Sequence, residues 1–172
     1  MHRRTAGAAL AVVTLLVMPA TDATASTVLR LDGVGPLRLG MTRTAALATG
    51  WLAERTPGCE LGGPPLPITY RLTGRRAPSD LRGAAEFRGG HLRGLSFTAG
   101  VRTTTGVAVR TTTTARMVAR YRSAGFSASA QFVPIFGGTF VDVRRSGRQV
   151  LGGFAHGRVV TTLAIPGVPV CE

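Results

Sequence analysis

The chain has no lysine. All 21 of its basic residues are arginine, which is most simply the coding bias of a GC-rich genome and carries no chemistry of its own. Carboxylates are scarce too, 8 in all, so the formal net charge reaches +13 over 172 residues. That surplus is physical, and it favours anionic partners through a long-range attraction that salt weakens. Beyond the first 25 residues the acids are Asp32, Glu54, Glu60, Asp80, Glu86, Asp142 and Glu172, few and scattered. Asp32 and Asp80 sit at turn signals. Glu86 and Asp142 fall in strand patterns, where pairing with arginine is favoured over an acid/base couple for glycoside cleavage. Aromatics amount to 6%, few stacking platforms for nucleic acid. The two cysteines, Cys59 and Cys171, have no histidine pattern nearby and make a poor zinc site. No glycine-rich loop opens a helix as a phosphate cradle would, so no cofactor is expected.

The N-terminus has the order of a secretion signal. His2-Arg3-Arg4 is followed by the apolar run Ala8 to Val17 and then by Ala23-Thr24-Ala25, the small-x-small pattern a signal peptidase cuts after. Residues 1–25 are therefore expected to be removed, leaving a mature chain from Ser26. No cysteine follows the run, which argues against a lipid anchor. Thr5-Ala6-Gly7 lacks the large apolar pair of twin-arginine export, so the general secretory route is expected. The run is too short to span a bilayer without its flanks, and no transmembrane segment is expected in the mature chain. An oxidising compartment then makes Cys59 to Cys171 the one possible intrachain disulfide. Closing a loop of that length stabilises by about 4 to 5 kcal/mol on the chain-entropy model.

The rest of the chain is organised around a repeated stretch. Leu37 to Trp51 runs from a short alternating apolar segment (Leu37, Leu39) through Thr42 into apolar positions at helical spacing, Leu47 and Trp51 among them. Seventy residues later Val107 to Tyr121 does the same, with Val107, Val109, Met117 and Tyr121. The hairpin signals repeat at a spacing of 67: Phe87, Gly90, Leu92 and Gly100 match Phe154, Gly157, Val159 and Gly167. Two agreements of this kind predict a duplicated module, 26–100 and 101–172. Each half reads as a helix followed by three or four antiparallel strands. The first helix is expected from Thr42 to about Glu54, passing through Gly50, and the second from about Thr112 to Ala124 with Gly125 as a left-handed cap. Residues 56–67 read as a Pro/Gly loop and 68–72 as a strand. A hairpin turns at Gly89-Gly90 with a bulge near Gly94. Phe132 to Phe136 reads as an edge segment, and strands are expected over 139–144, 150–155 and 158–165. The fold class is α+β, two tandem repeats whose sheets join side by side with the helices on one face. Leu47, Trp51, Met117 and Tyr121 are the expected helix anchors. The opposite face is expected to stay open.

The "GVGPLRLGMT" of Gly33 to Thr42, the "T-x-x-G-V-x-V" of Thr103 to Val109 and the terminal Cys171 resemble secreted proteins of high-GC Gram-positive bacteria. The duplicated helix-then-sheet order is similar to the beta-lactamase-inhibitor-protein fold and to the single module of the SmpA/OmlA envelope family. The resemblance implies this fold and a binding role. The inhibitor fold carries a disulfide inside each module, whereas here the one possible bridge joins the two. None of its enzyme-gripping residues maps onto a position of this chain.

For catalysis, Gly94-Leu95-Ser96-Phe97-Thr98 holds half of a nucleophile elbow, with Ser96 inside a strand pattern, and His91 and His156 fall at hairpin turns. Arg75-Arg76 and Arg144-Arg145 with Arg148 are the densest basic clusters and are candidate anionic contacts. The leading expectation is a secreted, non-enzymatic binding protein that uses its open sheet face on another extracellular or envelope protein. The runner-up is an envelope-associated protein that binds anionic wall polymer or membrane surface through its arginines. A small hydrolase using Ser96 and His156 ranks third.

Overall fold

A computed structural model describes residues 27–58 and 64–169. The expected leader, Cys59, Glu60, Cys171 and Glu172 lie outside the described residues, and with them the expected disulfide. Among the described residues no helix is long and apolar enough to cross a membrane.

The protein is α+β and dominated by strands. The first, β1 (Thr27–Leu29), leads into the tight pair β2 (Gly33–Val34) and β3 (Leu37–Arg38). Helix α1 (Arg43–Ala48) follows because the Thr42 hydroxyl accepts from the Ala45 N–H at 3.3 Å, satisfying a first-turn amide. It stops far short of the expected Glu54. Thr49 closes it with a hydroxyl bond to the Ala46 carbonyl at 2.6 Å, and Gly50 takes a left-handed φ of 73°. Gly50 therefore terminates the helix instead of being carried inside it. The chain is then free to form a strand, β4 (Ala53–Pro57), where the sequence reads as helix end and loop. Pro57 is tolerated there because β4 is an edge strand.

The remaining strands of the first half are β5 (Ile68–Arg71), β6 (Arg82–Arg88) and β7 (His91–Ala99), and the second half opens with β8 (Val101–Thr103). Glu86 pairs with Gly94 and Phe87 with Leu92, which leaves Arg93 as the extra residue of the bulge signalled at Gly94. Helix α2 (Thr114–Ser123) is capped by the Thr113 hydroxyl accepting from the Arg116 N–H at 3.2 Å and ends at Gly125, φ 82°. Val107 to Val109, read as a strand, holds only an isolated bridge from Ala108 to Arg102. The chain continues through β9 (Ser127–Val133), a 3-10 turn at Pro134–Phe136, β10 (Gly138–Arg145), β11 (Arg148–Ala155) and β12 (Thr162–Ile165).

Eight strands form one antiparallel sheet in the order β4-β5-β6-β7-β12-β11-β10-β9. The order runs up the chain to β7 and then down it from β12, so the final strands of the two halves meet at the centre, with Leu163 opposite Phe97 and Ile165 opposite Leu95. A second sheet, β3-β2-β1-β8, also draws on both halves, with β1 parallel to β8. The β6–β7 turn is the two-residue Gly89-Gly90, both at positive φ. Its counterpart is longer: Phe154 pairs with Thr162, so 158–161 is connection and not strand. Val159 bridges Thr113 instead of standing where Leu92 does.

One face of the large sheet carries the core. Phe97, Leu163, Gly153 and Val141 stand in a row across four strands. A Cβ added at Gly153 would lie 2.9 Å from the Met117 sulfur, so the absent side chain lets α2 close onto the sheet. Met117 and Tyr121 are fully buried, as their helical spacing implies, and burying a side chain the size of Met117 contributes about 1.5 to 3 kcal/mol. In α1 the buried residue is Ala46, while Leu47 is 37% exposed. Trp51 lies beyond the helix and packs its ring against Gly35, where a Cβ would approach to 2.1 Å.

Candidate binding face

Because strand side chains alternate, the partners of the core row point to the other face of the sheet. The row Ala84, Ser96, Ala164, Gly152 and Asp142 runs across its centre and is mostly small. Small residues keep this floor low. The segment after β12 uses the space: a Cβ on Gly152 would meet the Val168 nitrogen at 2.7 Å, and one on Gly167 would meet Gln149 Oε1 at 2.7 Å. Pro166 to Pro169 is thus a strap across the middle of a face that the sequence suggested would be open throughout. Ala164 beneath it is buried. The strap divides the face into three regions.

On the β9–β11 side stands a tier of aromatic rings. Phe136 meets Phe140 at 5.5 Å between centroids, Phe140 meets Phe154 at 4.7 Å, and Phe154 meets His156 at 4.8 Å. Phe140 and Phe154 are cross-strand partners on the face away from Met117, and both are half-buried. Beside the tier, at the β9–β10 connection, Ile135 is 74% exposed; Phe132, near the end of β9 and 60% exposed, pairs with Thr139 and so lies on the other face. On the β4–β7 side lies a cleft of about 390 Å³ walled by Pro57, Gly58, Gly167 and Pro169, with Thr69, Glu86 and Ser96 as its polar groups. The third region is a wider groove of about 630 Å³ at the end of the sheet where the β6–β7 turn sits, lined by Pro65, Glu86, Arg88, Arg93, Gln149 and Val168 among others.

The structure scatters most of the residues singled out by sequence. Ser96 is in the cleft, but His91 lies five residues along the strand, about 16 Å away at 3.3 Å per residue, with its Nδ1 3.0 Å from the Gly89 carbonyl. His156 stands beyond the opposite end of β11, against Phe154. These three are not assembled into a nucleophile and base. Arg75 and Arg76 lie in the β5–β6 connection, where the Arg76 N–H bonds the Gly50 carbonyl at 3.0 Å. Arg144, Arg145 and Arg148 flank the β10–β11 turn at the other end of the sheet. Arg144 pairs with Asp142 at 2.5 Å, Arg145 lies 5.7 Å from the Phe126 ring centre, and Arg148 is opposite Arg145. Asp142 spends one oxygen on Arg144; its Oδ1 is buried without a partner.

Sequence reasoning missed the aromatic tier and the Arg88/Arg93 groove. The spacing Phe140-x-Asp142-x-Arg144 marks one face of a strand, yet only the register of β10 on β11 brings Phe154 beside Phe140. Arg93 could be found from its bulge, since the extra residue of a bulge is turned out of the ladder. Against family models, curated proteins and solved structures, the chain finds no match.

Proposed function

We propose that this is a secreted, non-enzymatic binding protein that engages another extracellular or envelope protein through the sheet face opposite α2. The observation that carries the reading is the tier of Phe136, Phe140, Phe154 and His156, with exposed Ile135 beside it. Aromatic anchors on a rigid strand scaffold are the groups that dominate protein–protein contacts, because they bury large area at little cost in side-chain entropy. The order of residues 1–25 supports export, and the leader is taken to be cut after Ala25. The halves 26–100 and 101–172 are proposed to descend from one duplicated helix-and-sheet unit, a reading supported by the reversed strand order about the β7/β12 seam and by the matching caps Thr42 and Thr113. The likeness to the inhibitor-protein fold and the SmpA/OmlA module remains part of this proposal.

The test is capture from the secreting organism's envelope with the mature protein as bait. A specific partner retained by the native protein and lost with Phe140→Ala/Phe154→Ala supports the reading; equal recovery with both baits contradicts it. The second reading, contact with anionic wall polymer or membrane surface through Arg75, Arg76, Arg144, Arg145 and Arg148, is favoured by one observation. Arg145 and Arg148 face each other across the turn, and neither takes an ion pair among the described residues. It requires binding that survives loss of both phenylalanines and vanishes when those arginines are neutralised.

A further inference from the structure

Two arginines and a glutamine amide converge at the end of the sheet where the β6–β7 turn and the start of β11 flank the strap. Arg88 closes β6, and Arg93 is the unpaired residue of the β7 bulge, displaced from the ladder by the step between Glu86 and Phe87. Gln149, on β11, forms the facing wall, and Pro166 to Val168 lies between. Among the described residues neither Arg88 nor Arg93 takes an ion pair. The groove is wide, about 630 Å³, and open to the same face as the aromatic tier.

We infer that this groove receives the carboxylates of an extended acidic segment of the protein partner, an inference that rests on the binding reading above. Three features select this occupant. A formal net charge of +13 over the whole chain, +12 once Arg3, Arg4 and Asp22 are removed with residues 1–25, draws an acidic chain toward the protein from a distance. The two guanidiniums are planar donors suited to carboxylates, and Gln149 adds a neutral donor opposite them. The rest of the lining is apolar or small, with Pro65, Gly89, Pro166 and Val168 offering surface to the side chains of a peptide. A phosphodiester polymer has no apolar side chains for those prolines. Its closely spaced charges would also meet Glu86, the one carboxylate in the lining. A peptide spaces its carboxylates, and its backbone N–H groups can donate to Glu86.

The experiment uses the mature protein and two probes, a synthetic octapeptide alternating glutamate and valine, and inorganic polyphosphate. Nuclear magnetic resonance follows the arginine Nε–H signals during titration. The peptide is expected to shift the Arg88 and Arg93 signals, and Arg88→Gln/Arg93→Gln is expected to weaken it about tenfold or more, the scale of losing charge-assisted hydrogen bonds. Arg75→Gln/Arg76→Gln, at the far end of the sheet, is expected to leave affinity within twofold. Equal weakening by both pairs would mean that net charge alone binds the peptide and would overturn the inference. So would polyphosphate displacing the peptide from Arg88 and Arg93. Phe140→Ala/Phe154→Ala lies outside the groove and should bind the peptide normally while losing the captured partner. A failure of the groove therefore reads differently from a failure of the face.

Discussion

Tyr121 shows how far a single residue's surroundings determine its role. It is 1% exposed, its ring meets Phe126 edge-on at 5.5 Å, and its hydroxyl is buried without a partner. The ring stabilises by burial, while the hydroxyl loses water and regains no bond. Tyr121→Phe is therefore expected to leave stability unchanged or raise it by about 1 kcal/mol, measured by urea denaturation; a loss above that would reveal a partner for the hydroxyl. Gly35 gives the opposite case. Its φ is 50°, and a Cβ would come within 2.1 Å of the Trp51 ring. Gly35→Ala should cost the left-handed strain of about 1 to 2 kcal/mol and a further 1 to 3 kcal/mol of overpacking. At Gly147, φ 78° with open space around it, alanine meets only the strain. The difference between these two variants measures how firmly Trp51 holds the β2–β3 turn to the rest of the molecule.

At the scale of elements, the caps carry matching work in both halves. Thr42 and Thr113 each accept from the amide three residues on, and each also bridges a residue at the far side of a hairpin, His91 and Val159. Thr113→Ala should cost about 0.5 to 2 kcal/mol, read from the denaturant midpoint with an unchanged slope. The same change at Thr42 should be the milder, since α1 is the shorter helix. The cap at Thr42, the turn at Gly89-Gly90 and the bulge beside Gly94 were legible in the sequence because each is a local backbone demand written in one or two residues. The end of α1 was misread for a related reason: Gly50 is compatible with a helix interior or a stop, and the competition from β4, whose partner β5 starts at Ile68, is not local. The Ser127 to Gln131 part of β9 was missed altogether. As an edge strand it buries only Ala128, so it shows almost no alternation.

Over the whole molecule, what the sequence could not reveal is what lies over the free face. Gly152 and Gly167 read as strand and turn glycines, yet their absent side chains admit a strap that splits the surface into a tier, a cleft and a groove. The strap ends in the cleft, where Pro169 and Gly58, the residue after β4, both line the wall. Gly58 adjoins Cys59 and Pro169 stands two residues before Cys171, which supports the proposed disulfide. The intact mature protein is accordingly expected to weigh two hydrogens less than its reduced form, and two thiols open to alkylation without reductant would refute the bridge.

The central claim is that an aromatic sheet face, and not the surplus of arginine, holds the partner. The most direct measurement is the dissociation constant of the captured partner across a salt series, for the native protein and for Phe140→Ala/Phe154→Ala. At 1 M salt charges are screened beyond about 3 Å. The account predicts that native binding persists at high salt, weakened by no more than the roughly tenfold that the Arg88/Arg93 groove contributes, and that the double variant loses at least about tenfold at every salt concentration. Binding that collapses as salt rises and is indifferent to the two phenylalanines would contradict it.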